Sequence, residues 1–160
     1  MRQVHTLAPV YDERSEVLIL GSFPSVKSRE SGFYYAHPQN RFWKLLAALY
    51  EADEPRTNDD RQAFLLDRRI ALWDVIQSCA ITGSGDASIR SAVPNDLTPL
   101  LRSAEIRRIF ANGRTAEALY RRFLLPVCGR EITALPSTSP ANAAYTMERL
   151  LAAWRAVRDV

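Results

Sequence analysis

Cysteine is scarce in this chain: Cys79 and Cys128 stand far apart, with no second cysteine or histidine beside either at metal-ligand spacing. A structural zinc or iron–sulfur centre is therefore not expected, and both thiols read as buried. Lysine is scarcer than the charge suggests, because Lys27 and Lys44 are the only two among 21 basic residues. Long apolar runs are missing as well. No stretch approaches the roughly eighteen residues of a membrane span, and the opening MRQVHTLAPVYDERSE lacks the apolar run of a secretory signal, so a cytoplasmic protein with no membrane partner is expected. The chain has no paired carboxylates, no H-E-x-x-H and no G-x-S-x-G, which speaks against a metallohydrolase or a serine esterase. Gly83-Ser84-Gly85-Asp86 lacks both the Gly-Lys-Ser/Thr ending of a phosphate-cradling loop and the spacing of a dinucleotide fingerprint. Neither a metal nor a cofactor is expected.

What is present suits an ordinary soluble domain. The 160 residues are 47% apolar and 24% charged, enough for one sizeable core, so a single domain over 1–160, expected as a monomer, is the reading. The net charge is +3 and the pI about 9.1. Arginine forms bidentate contacts with phosphate, which favours a polyanionic partner, although the arginine richness could equally be a habit of the source genome.

Four apolar runs read as strands: Val17 to Gly21, Ile70 to Val75, Ile106 to Ala111 and Glu131 to Leu135. Helical patterns separate them. They cover about Asn40 to Glu51, Asp59 to Arg69 after a cap at Asn58, Ala116 to Leu124, and Asn142 to Val157 with Met147, Leu150, Leu151 and Trp154 on one face. This alternation predicts an α/β fold, a three-layer αβα sandwich around a central four-stranded parallel sheet. Two long connections, Ser22 to Gln39 and Thr82 to Asn95, show no helical period, and loops of that length in a compact domain usually serve function. In open parallel sheets ligands bind beyond the carboxyl ends of the strands, where GSFPS, ANG and LPSTSP all begin.

Three segments could carry chemistry. Gly21 to Ser25 leaves a buried strand in a tight turn, where glycine permits close approach to a ligand. Gly32 to Trp43, GFYYAHPQNRFW, sets five aromatics, a histidine and an asparagine just before and into a helix. Phe42 and Trp43 fit core positions of that helix. Tyr34, Tyr35, His37 and Asn40 fit the stacking and edge hydrogen bonds that a flipped nucleobase needs. His37 could be a general acid, a phosphate donor or a structural hydrogen-bonding group, and Asn40 could cap the helix or position a water. Pro136 to Asn142 offers small hydroxyls and amides suited to phosphate, or to a capped polar turn.

Six ordered segments together resemble the uracil-DNA glycosylase superfamily, and within it the hypoxanthine-DNA glycosylase branch. They are GSFPS at Gly21, YYAHPQNRFWKLL from Tyr34, ALWDVIQSC from Ala71, GSGDASIR and PND near Asp86 and Asn95, IFANG at Ile109, and LPSTSPANA from Leu135. The resemblance implies a DNA cleft at the strand ends and a base stacked on Tyr35. Phe23 occupies the place where relatives that cleave uracil carry a water-activating Asp or Asn, and Leu135 the place of a histidine that steadies the leaving base. The resemblance to the hypoxanthine branch implies that the asparagine of the H-P-x-N-R segment, here Asn40, takes the catalytic task, with Asn112 as a second candidate. The expected base-binding residues are Gly21, Ser22, Phe23, Tyr35 and His37, and the expected DNA-binding residues are Pro24, Ser25, Ser137, Thr138, Ser139, Pro140 and Asn142. The implied activity is that of a monofunctional DNA glycosylase of base excision repair. It would hydrolyse the N-glycosidic bond of a deaminated base, hypoxanthine first, in double-stranded DNA. A uracil or xanthine glycosylase, a protein that binds damaged DNA without cutting it, and a purine binder are the alternatives.

Overall fold

The computed structural model describes residues 2–5, 7–80 and 90–160. In chain order the elements are β1 (Arg2–Val4), β2 (Val17–Gly21), α1 (Val26–Ser31), α2 (Phe42–Leu49), α3 (Asn58–Asp67), β3 (Ile70–Asp74), β4 (Ile76–Ala80), β5 (Arg90–Pro94), α4 (Thr98–Ser103), β6 (Arg108–Asn112), α5 (Arg114–Phe123), α6 (Leu125–Cys128), β7 (Thr133–Leu135) and α7 (Met147–Arg158). The apolar runs pair as anticipated. β3, β2, β6 and β7 lie side by side in that order, all parallel. Alternate residues of β2, β3 and β6 feed two cores. Val17, Ile19, Leu72 and Phe110 face α2, α3 and α7, whereas Leu18, Leu20, Ala71 and Ile109 face α4 and α5. Strands buried on both faces must be apolar throughout, which is why these runs show no alternation.

The register sets the site. Gly21 pairs with Asp74 across β2 and β3, and Asn112 with Leu135 across β6 and β7, so four strands end on one edge. Chain leaving that edge forms the loops around the cleft.

Several expectations shift. A second sheet, β1-β4-β5, is antiparallel; β4 was hidden in the apolar continuation past Val75, and the polar β1 is too short to show a pattern. The Ser22–Gln39 connection contains α1, six residues capped by Ser25, too short to reveal a period. Part of the Thr82–Asn95 connection is β5, while the Gly83-Ser84-Gly85-Asp86 reading lies outside the described residues. Thr57 rather than Asn58 caps α3, accepting from the Asp60 N–H at 3.0 Å. α7 begins at Met147 instead of Asn142 because Thr146 caps it, leaving Asn142 in the loop. Cys79 is fully buried as expected; Cys128 is only half-buried, its thiol 3.1 Å from the Tyr120 hydroxyl.

Candidate functional site

A cleft of about 1220 Å³ opens at the carboxyl edge of the parallel sheet. Its wall includes every residue assigned from the sequence to catalysis, base binding or DNA binding. Gly21, Ser22, Phe23, Pro24 and Ser25 come from the turn after β2. Tyr35, His37 and Asn40 come from the segment before α2, Asn112 from the end of β6, and Ser137, Thr138, Ser139, Pro140 and Asn142 from the loop after β7. Asp74 and Tyr145 also line it.

One wall is a chain of hydrogen bonds. Asn40 lies just ahead of α2, and its Oδ1 accepts from the Phe42 N–H at 3.0 Å and from the Thr138 hydroxyl at 2.8 Å. Because a backbone N–H can only donate, this assigns the oxygen and nitrogen of the amide. The same hydroxyl accepts from Asn112 Nδ2 at 3.0 Å, and the Thr138 N–H returns to Asn112 Oδ1 at 3.0 Å. Thr138, fully buried, thus joins residues 98 and 26 positions away. With both lone pairs of Oδ1 engaged, Asn40 offers a ligand its Nδ2 hydrogens.

The loop after β7 is fastened before any ligand arrives. Arg41 donates to the Asn142 carbonyl at 3.0 Å and to the Tyr145 carbonyl, and its own N–H bonds to the Thr138 carbonyl at 3.1 Å. Asn142 Nδ2 donates to the Ser137 carbonyl, and the Ser137 hydroxyl accepts from the Ser139 N–H. The forked reach of Arg41 to two carbonyls gives the arginine of the HPQNRFW segment a structural use that no local pattern signals.

The aromatic wall divides into structural and open parts. Tyr34 is core: 2% exposed, its hydroxyl donates to the Ala8 carbonyl at 2.8 Å. Burial, and then the nearby Asp74 carboxylate, push its phenol far above the usual range, so it stays neutral. Tyr35 is half-buried in the left-handed region, φ 54°, a conformation that costs a residue with a side chain roughly 1 kcal/mol or more. One face of its ring stacks on Phe42, with centroids 4.1 Å apart. His37 accepts from the Gln39 N–H at 3.1 Å, a turn-forming use of its Nδ1. The Ser25 hydroxyl caps α1 by accepting from the Ser28 N–H.

At the floor lies a pair that motif reading missed. His5, just past β1, and Asp74, at the end of β3, meet at 2.9 Å between Nε2 and Oδ2, with side chains 2% and 4% exposed. Asn95, also buried, clamps this strand end by donating to the Asp74 and Ile76 carbonyls. Phe23 packs edge-on against His5 at 5.8 Å, and the Arg29 guanidinium lies over the Phe23 ring, 5.4 Å from its centroid. Gly21 is required here: a Cβ would collide with Asp74 Oδ1 and come within 2.8 Å of the Tyr35 hydroxyl. Among the described residues no cluster of His, Cys, Asp and Glu could hold a metal ion.

Fold and cleft define an open parallel α/β protein whose strand-end loops build a polar and aromatic recess wide enough for a nucleotide. The chain belongs to the uracil DNA glycosylase superfamily, whose sequence model matches residues 8–160. It is 37% identical over 150 residues to a hypoxanthine DNA glycosylase of Methanosarcina acetivorans, covering 92% of this chain and 93% of that one. It is 34% identical over 136 residues to a hypoxanthine DNA glycosylase of Methanosarcina barkeri, covering 84% and 85%. The solution NMR structure of a candidate uracil DNA glycosylase from M. acetivorans superposes with a TM-score of 0.83 at 34% identity, over 99% of this chain and 98% of that one.

Proposed function

We propose that this chain is a monofunctional DNA glycosylase that excises hypoxanthine from duplex DNA and leaves an abasic site. The observation that carries the reading is the Asn40–Thr138–Asn112 chain, which holds one amide at the cleft in a single orientation. The extruded base stacks on Tyr35, and the loop from Ser137 to Asn142 receives the flanking phosphates through amides and small hydroxyls. Asn40 Nδ2 donates to a water oxygen. That leaves the second lone pair of the water to attack the sugar C1′ once the glycosidic bond has largely broken. The purine departs with the bonding electron pair, and the proton shed by the water balances it, so hypoxanthine is released neutral. Such a loose, oxocarbenium-like transition state asks for orientation more than for nucleophile strength, so an amide suffices where Phe23 replaces an acid.

Purified protein is incubated with a duplex containing one deoxyinosine, in chelator at low salt, and scored for alkali-labile sites. Absence of product overturns the glycosylase reading. Under single turnover Asn40→Ala lowers the rate by about 100-fold or more, the range expected when a positioned polar group at a reacting centre is lost; a wild-type rate removes Asn40 from the mechanism. Uracil and xanthine duplexes run alongside identify the preferred base, and salt-dependent binding without base release would identify a binding protein instead.

A further inference from the structure

We infer, resting on the glycosylase reading above, that Ser28 is the positioning residue of the base shelf: its hydroxyl holds the peptide after Tyr35 and so fixes where the Tyr35 ring stands in the cleft.

The one buried residue of α1 is a serine. Ser28 is 2% exposed, at a place on a packed helix that ordinarily falls to an apolar side chain. A hydroxyl taken out of water there needs partners to offset its lost hydration. Ser28 has them. Its N–H donates to Ser25 Oγ at 3.2 Å, and its carbonyl accepts from the Gly32 N–H at 2.9 Å and the Phe33 N–H at 3.2 Å. Its hydroxyl oxygen accepts from the Ser25 hydroxyl at 3.2 Å and from the Ala36 N–H at 3.2 Å. All but the last are local to α1 and its ends; the last reaches eight residues along the chain.

The landing point carries the consequence. The Ala36 N–H belongs to the planar Tyr35–Ala36 peptide, so its direction is set by the ψ rotation of Tyr35. Tyr35 stands at φ 54°, in the left-handed region that a residue with a side chain keeps only where its surroundings hold it. The stabilisation from one hydrogen bond and the cost of that conformation are of the same order, so losing the first releases the second.

The ring follows the backbone. One face rests on Phe42 with centroids 4.1 Å apart, and the hydroxyl lies within 2.8 Å of where a Cβ on Gly21 would stand. A return to ordinary negative φ swings the Cα–Cβ bond away from both, and away from the cleft that Tyr35 lines. Stacking depends on ring distance and tilt, so a shelf serves a flipped base only when it is held where the base arrives. Phe42 supports the ring, and Ser28 the main chain that carries it.

Single-turnover excision of hypoxanthine from a deoxyinosine duplex is measured for wild type, Ser28→Ala, Tyr35→Ala and the double variant. Ser28→Ala is expected to lower the rate constant by about 10-fold through misplacement of the ring, and Tyr35→Ala by about 100-fold through loss of the stacking platform. Because Ser28 acts through Tyr35, the double variant should be no slower than Tyr35→Ala alone, whereas independent losses would multiply to about 1000-fold. A merely structural serine would give the multiplied loss, or a lowered Tm with an unchanged rate constant, and either result overturns the assignment. So does a Tyr35→Ala enzyme as fast as wild type, since no shelf is then being held. Should Ser28→Ala fail to fold, Ser28→Cys, whose sulfur is a weaker acceptor in the same place, is run through the same cycle and judged alike. Wild-type protein that releases no hypoxanthine at all refutes the glycosylase reading instead, which keeps the two failures apart.

Discussion

Thr138→Val is the sharpest probe of the cleft wall, because it exchanges a hydroxyl for a methyl without opening a cavity. The residue is fully buried, and its hydroxyl serves Asn40 Oδ1 at 2.8 Å and Asn112 Nδ2 at 3.0 Å. Two net hydrogen bonds at about 1 kcal/mol each are lost. Asn112, half-buried, also loses an acceptor, but water can reach it, so the added penalty lies at the low end and the sum is about 2–3 kcal/mol. For a chain of this size that corresponds to a fall in Tm of about 4–12 °C, read by calorimetry. The kinetic effect is separate. Asn40 keeps its Phe42 bond but loses the second anchor that fixes the direction of Nδ2, and misplacement of a positioning group by about 1 Å costs on the order of 100-fold in rate. Thr138→Ser retains the hydroxyl and should stay within a few-fold of wild type. A Thr138→Val enzyme with lowered Tm and an unchanged single-turnover rate would refute the claim that this chain orients Asn40. A serine variant as impaired as the valine one would transfer the effect from the hydroxyl to the methyl.

Two further outcomes are expected. Gly21→Ala drives a methyl into Asp74 Oδ1 and towards the Tyr35 hydroxyl, so chemical denaturation should show a loss of about 1–3 kcal/mol together with impaired excision; a fully active, equally stable variant would mean the floor is softer than its packing implies. Asp96 accepts from the Thr98 N–H at the start of α4, and that bond, then the Thr98 hydroxyl, holds its carboxyl below the ordinary 3.8. A folded pKa lower than the unfolded one stabilises above the unfolded value and ceases to do so as pH falls through the folded value. The Tm difference between wild type and Asp96→Ala should accordingly be present at pH 5 to 7 and shrink below about pH 3.8; a difference that is flat with pH would remove the carboxylate as its cause.

The cleft was unusually legible, and for a local reason. GSFPS, YYAHPQN, ANG and PSTSP each follow or precede a regular element, and their glycines, prolines and small polar residues show that the chain leaves regular structure there. Boundaries were harder. Helix ends depend on one side chain catching one N–H, as Thr146 does for α7 and Thr57 for α3, and neighbouring residues of similar type compete for that task. The β1-β4-β5 sheet escaped because its pairing joins residues such as Gln3 and Cys79, whose local sequences carry no alternation.

The sequence by itself determined the parallel α/β architecture, since strands buried on both faces must be continuous apolar runs and the helices between them must be amphipathic. It also determined which loops meet at the sheet edge. What only the tertiary structure decided is how the polar groups there are partnered. His5 and Asp74 are 69 residues apart, and Asn40 and Thr138 are 98 apart. A hydrogen bond acts over about 3 Å whatever the distance along the chain, so its partners become visible only when the fold has brought them together.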